Sequence, residues 1–185
     1  MIHEAGEKVA VAITWLEMTA RPAFPRPHLP TGPLSVLIGA ERPPLWYFLD
    51  LYRRVGADYD WTDQLEVPAD QVAAFLHDPA VCLYTFVRAG WPHGFFILDA
   101  REPERCDLAY LGLVPEAIGR GLGTYLLQTA VHMAWDRPGV ERVTVNTNSL
   151  DHPRALPLYQ KAGFVPVHRE TVERTLSRTR TIIDA

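Results

Sequence analysis

The chain has 185 residues, a formal net charge of −4 and a hydrophobic fraction of 48%. That much apolar surface offsets chain entropy, which excludes disorder as the main state, and the length fits one domain over residues 1–185. The acidic balance leaves no bulk basic field for nucleic acid, no apolar run reaches the ~18 residues of a membrane span, and no basic region followed by an apolar stretch marks a secretory signal near Met1.

The first strand is predicted over Val9–Met18, rich in Val and Ile. Seven of the sixteen prolines then fall between Pro22 and Pro44. Proline fixes φ and lacks a backbone donor, so residues 21–44 read as an ordered, irregular loop. A helix follows from Pro44 to Val55, with Leu45, Phe48, Leu49, Tyr52 and Val55 as its buried stripe and Gly56 as its stop. A shorter helix runs from Ala69 to His77, ahead of Pro79. Val81–Arg88, His93–Ala100 and Cys106–Leu113 read as strands, the first two forming an antiparallel hairpin about Ala89-Gly90-Trp91-Pro92. A helix from the Gly119–Gly123 turn to Trp135 is broken by Pro138-Gly139. A strand over Val140–Thr147, a helix over His152–Ala162, and strands over Phe164–His168 and Thr171–Ile183 complete the chain. The fold class is α/β, a mixed sheet with helices on its faces.

The two cysteines, Cys82 and Cys106, sit in predicted strands at no zinc or C-x-x-C spacing. They read as buried free thiols, which points to a cytoplasmic protein. The histidines show no ligand spacing, so no metal is expected.

The sharpest local feature is Ile118-Gly119-Arg120-Gly121-Leu122-Gly123-Thr124, between a strand and an apolar helix. Alternating glycines allow positive φ and close ligand approach. The first N–H groups of a helix lack internal partners and carry partial positive charge. Together they suit a phosphate or pyrophosphate, with Arg120 at the rim. A dinucleotide fingerprint fails because Thr124 occupies the third glycine position, and a P-loop fails for want of lysine after Gly123.

The stretch Asp107 to Gly123, with -Val114-Pro115-Glu116- before the glycines, resembles the acyl-CoA motif of the GNAT superfamily of N-acetyltransferases. The stretch Asp151 to Phe164, ending -Leu158-Tyr159-Gln160-Lys161-Ala162-Gly163-Phe164, resembles that family's second signature. Two departures stand out: Ile118 replaces the usual Arg or Gln, and His152 replaces a frequent Asn. The resemblance implies a largely antiparallel central sheet with helices on both faces. Residues 106–168 form its acyl-CoA-binding core, and residues 45–77 its variable, acceptor-side helices.

It further implies acetyl-CoA as co-substrate and an amine of a small molecule or protein as acceptor. Leu111 and Leu113 would offer backbone groups to the pantetheine arm. The amides of Gly119, Arg120, Gly121, Gly123 and Thr124 would hold the pyrophosphate. Tyr159 matches the tyrosine that donates to the leaving sulfur. With a phenol near ~10 and a thiol near ~8.5, full proton transfer is uphill by about 2 kcal/mol, so hydrogen bonding is the expected role. A lysine-like amine costs about 4.6 kcal/mol to deprotonate at pH 7, which calls for a base. Asp107 is the first candidate. Asp60, Asp63 and Glu66 lie in the acceptor region. Trp46 and Tyr47, off the buried stripe, and Tyr110 are the expected acceptor contacts, by stacking or cation–π attraction. The proline-rich loop could wall that cleft or form a homodimer contact. Arg174, Arg178 and Arg180 read as a solvated edge that resists sheet addition. The alternative to an enzyme is a non-catalytic acyl-CoA-binding or sensing module.

Overall fold

The computed structural model describes residues 1–182, so Ile183, the end of the last predicted strand, lies outside them. A short β1 (Ile2–His3) precedes β2 (Lys8–Met18) and β3 (Ser35–Ala40). Helices α1 (Leu45–Gly56), α2 (Asp63–Glu66) and α3 (Ala69–Leu76) lead to β4 (Val81–Arg88), β5 (Trp91–Asp99) and β6 (Arg105–Leu113). Then come α4 (Leu122–Trp135), β7 (Arg142–Asn148), α5 (Ala155–Lys161), β8 (Val165–Thr175) and β9 (Arg180–Thr181).

Seven strands form the main sheet in the order β3-β4-β5-β6-β7-β2-β8. Every neighbouring pair is antiparallel except β6 and β7, which run parallel. The mixed, largely antiparallel sheet matches the expected class. Strand β5 is interior to the sheet and covered on both faces. Phe95 packs toward Phe48 of α1, while Phe86 of β4, paired with Gly94, packs against Tyr125 of α4. Burial on both faces explains why Phe95, Phe96, Ile97 and Leu98 run without polar alternation, each at most 1% exposed. Such burial contributes ~1.5–3 kcal/mol per large side chain.

Four expectations change. The proline-rich loop contains β3, which pairs with β4 from Ser35↔Arg88 to Ala40↔Leu83. The window Ser35–Ala40 is free of proline, and its place at the sheet edge lets prolines flank it. Gly56 does not stop α1 by a left-handed turn, because its φ is −84° and the chain continues into a 3-10 turn over Ala57–Tyr59. Its lack of a side chain serves Trp61 instead, whose Cβ would lie 2.3 Å from a Cβ built at Gly56. The last two predicted strands are largely one: β8 pairs with β2 through the polar run His168–Thr171, with an irregularity opposite Trp15/Leu16. A polar run does not break an edge strand that is exposed on both faces.

The arginines near the C-terminus form no free edge. Arg174 pairs with Asp63 at 3.2 Å and Arg178 with Asp58 at 2.5 Å. Arg180 donates to the Leu150 carbonyl at 2.7 Å. Asp60, 4% exposed, accepts from the Ser177 amide at 3.0 Å and from its hydroxyl. Asp60 and Asp63, two of the candidate bases, therefore hold loop 57–63 against the C-terminal segment.

Candidate active site

Strands β6 and β7 form a fork. They pair only at Arg105↔Arg142, Cys106↔Val143 and Asp107↔Thr144. Beyond that point β7 follows β2 from Met18 to Ile13, while β6 follows β5 to Leu113. The β5–β6 register supplies a reason. Leu98 pairs with Leu108 but Ile97 with Tyr110, which leaves Ala109 as an extra residue. A bulge bends its strand and raises its twist, and this one falls two residues past the last β6–β7 pair. The edge of β6 facing β7 is thus unpaired from Leu108 to Leu113, where Leu111 and Leu113 were expected to offer backbone groups.

The bulge also resets which side chains share a face. Asp107 pairs with Asp99 and Tyr110 with Ile97, and residues two apart on β5 share a face. Asp107, Tyr110 and Gly112 therefore point toward α1, and Leu111 and Leu113 toward α4 and α5. Two contacts agree. A Cβ at Gly112 would meet Val55 of α1 at 2.2 Å, and a Cβ at Gly123 would meet Leu113 at 3.9 Å and Leu158 of α5 at 4.0 Å.

A cleft of about 290 Å³ runs through this fork. On the α4–α5 face its walls include Leu111, Leu113, Gly119, Gly121, Gly123, Thr124 and Tyr159. On the α1 face they include Val55, Tyr59, Trp61 and Tyr110, with Asp151 and His152 beyond β7. The glycine turn has the backbone its sequence requires. Gly119 and Gly121 hold φ of 81° and 74°, and a Cβ on either would meet nothing within 4 Å. Open space there means that conformation and ligand approach, not packing, call for glycine. Gly121 caps α4, and no side chain caps that end or places an acid in its first turn. Among the described residues, no amide from Gly119 to Thr124 donates to a backbone carbonyl in the turns and caps. The exposed Arg120 side chain lies off the cleft wall, whereas Arg154 lines it.

Tyr159 on α5 is 6% exposed and packs edge-on to Phe164 at 6.0 Å. Burial, then the charges of Asp151 and Asp107, holds its phenol well above the ordinary value, so it stays a neutral O–H donor. Tyr110 is pushed up to about 12, mainly by burial. It packs on Phe48, Tyr52 and Trp61 with ring centres 5.5–5.8 Å apart.

Asp107 sits at the fork point and does not line the cleft. Its Oδ1 accepts from the Thr144 hydroxyl, and burial raises its pKa despite that hydrogen bond. Trp46 and Tyr47 also fall outside the cleft. They line a separate groove with Trp91 and Pro92, where Trp46 is 63% exposed and the Tyr47 hydroxyl shares a 2.8 Å hydrogen bond with Thr85. Tyr59 and Trp61 line the cleft instead. Sequence reasoning gave no role to Asp151 or Arg154. Among the described residues no group of three His, Cys, Asp or Glu is placed to hold a metal, and no helix is long and apolar enough to cross a membrane.

A forked parallel pair, free amides at a helix start and a buried tyrosine thus meet in one cleft. The comparisons give the family. The acetyltransferase (GNAT) family model matches residues 46–164, and the chain belongs to that family of acetyltransferases. No curated protein matches the chain. Among solved structures, a GCN5-related N-acetyltransferase from Sphaerobacter thermophilus is similar at 18% identity and TM-score 0.59, covering 100% of this chain and 55% of its own. One from Kribbella flavida is similar at 16% identity and TM-score 0.57, covering 88% and 56%. An aminoglycoside acetyltransferase from an uncultured soil metagenomic sample, in complex with sisomicin, is similar at 16% identity and TM-score 0.55, covering 70% and 87%. The chain thus spans just over half the length of the first two. At these identities the likeness is one of fold.

Proposed function

We propose that the protein transfers an acetyl group from acetyl-CoA to a primary amine by direct attack. The observation that carries this reading is the row of free amides from Gly119 to Thr124, at the mouth of a cleft that also holds Tyr159. These amides would hold the pyrophosphate, and the unpaired edge of β6 at Leu111 and Leu113 would take the pantetheine arm as an added strand does. Arg154 adds positive charge to the same wall. Acetyl-CoA bound there supplies an acyl group activated on sulfur.

The chain's own groups then have separate tasks. Tyr159 keeps its proton and donates a hydrogen bond toward the leaving sulfur. Asp107, raised in pKa and deeper on the acceptor face, takes the amine proton by way of solvent. The amine enters from the α1 face, so donor and acceptor meet within the fork from opposite sides of the sheet. Calorimetry with coenzyme A, followed by mass spectrometry of a panel of amines incubated with acetyl-CoA, tests this. Binding with acylated amine products supports it. Binding without products on any amine marks a sensing module, and no binding refutes the site.

A further inference from the structure

The α1 side of the cleft contains a carboxylate that makes no direct ion pair among the described residues. Asp151 Oδ1 accepts from the Trp61 indole N–H at 3.0 Å. Its Oδ2 accepts from the Thr147 hydroxyl at 2.8 Å and the Asn148 amide at 2.9 Å. All three donors are neutral. Among the described residues no lysine, arginine or histidine forms an ion pair with Asp151. Arg180 donates its Nη2 to the Leu150 carbonyl, so its charge acts on Asp151 from nearby without bonding to it. His152 accepts the Arg154 amide at Nδ1, 3.1 Å away, and makes no ion pair with Asp151.

Three hydrogen bonds fix the carboxylate and leave Oδ1 with a free acceptor direction. Tyr59, Trp61 and Tyr110 line the same cleft. A pinned carboxylate attracts a cation through a charge-assisted hydrogen bond, and neighbouring aromatic rings add quadrupole attraction wherever they turn a face to it. The carboxylate itself repels a ligand's own carboxylate brought to the same end. Both reactants share this cleft of about 290 Å³.

We infer that this side of the cleft takes the acceptor as its ammonium ion, held by Asp151 and the rings of Tyr59, Trp61 and Tyr110. It selects small monoamines with an apolar or aromatic body over amino acids and lysine peptides. The role of the bound amine as acceptor rests on the acetyltransferase reading, but its binding does not. The test is calorimetry of the full chain, with and without coenzyme A, using 2-phenylethylamine, 2-phenylethanol, phenylalanine and a lysine-containing peptide. The amine binds at least about tenfold tighter than the other three. Asp151→Asn weakens the amine by about tenfold or more and leaves 2-phenylethanol and coenzyme A unchanged. Trp61→Phe, which retains the charge and an aromatic ring, keeps the preference for amine over alcohol even if Asp151→Asn fails to fold. Equal binding of amine and alcohol, wild-type amine affinity in folded Asp151→Asn, or tighter binding of phenylalanine or peptide overturns the inference. Loss of coenzyme A binding with the amine preference intact refutes the acetyltransferase site and leaves this one standing.

Discussion

Replacing Gly56 with alanine probes how the acceptor wall is built. Gly56 has ordinary helical torsions, φ −84° and ψ −7°, so alanine meets no backbone strain there. The new Cβ would, however, lie 2.3 Å from the Trp61 Cβ. Carbon atoms pack at ~3.5–4.0 Å, so one of the two must move by about 1.2 Å. Neither is a flexible tip. The Trp61 amide is tied to the Gly56 carbonyl at 3.2 Å, and its indole to Asp151 at 3.0 Å. Overpacking of this kind costs ~1–3 kcal/mol. The helix preference of alanine over glycine, ~1 kcal/mol in an interior, offsets only part of that at the last helical residue. A net loss of ~1–2 kcal/mol lowers Tm by roughly 2–8 °C in a chain of this length. Because Trp61 moves, KM for the amine rises by roughly fivefold or more, whereas coenzyme A affinity changes by less than about twofold. Thermal unfolding, steady-state kinetics and calorimetry read the three quantities. An unchanged Tm with an unchanged KM, or an equal loss of coenzyme A affinity, would refute the reasoning.

Gly121→Ala forces a side chain into φ 74° at the cap of α4, where the left-handed region costs ~1–2 kcal/mol. Coenzyme A affinity falls by about tenfold, and calorimetry that finds it unchanged removes the glycine turn as the diphosphate seat. Tyr159→Phe removes a hydroxyl with no hydrogen-bond partner among the described residues, so Tm holds while kcat falls by ~10²-fold or more and coenzyme A affinity stays. Matching losses in kcat and affinity would instead make Tyr159 structural. Asp107 has a folded pKa raised by burial above its reference of 3.8, so its contribution to stability is full below that value and is lost as pH rises through the folded pKa. Asp107→Asn is therefore more stable than the wild type at pH 7, the gap closes as pH falls toward 3.8, and turnover drops. Denaturant titrations at several pH values check the sign, and a wild type that is the more stable at pH 7 contradicts it.

Much of the outline was legible because each signal was local. The Ala89-Gly90 turn, with φ of 52° and 87°, joins two apolar runs, and that pattern alone places the hairpin. Gly163, with φ of 102°, lies just past α5, where a helix-ending glycine is expected. Strand β3 was hidden because its proline-rich flanks read as loop, and only pairing with β4 supplies its hydrogen bonds. The strands predicted over Phe164–His168 and Thr171–Ile183 join because pairing with β2 carries the polar stretch between them. Trp46 and Tyr47 share a helix with Tyr52 but face a different groove, and the sequence records their aromatic character without that destination.

The order of residues by itself determined the glycine turn, the apolar helix behind it and the tyrosine downstream, since φ preference and short-range spacing act within a few residues. Tertiary structure decided the rest of the site. One extra residue at Ala109 bends β6 away from β7 and turns Tyr110 onto the face of Asp107. Loop 57–63 brings Trp61 to Asp151 because distant arginines and Ser177 hold it there. Register and long-range ion pairs depend on partners far away along the chain, so no local pattern could announce them.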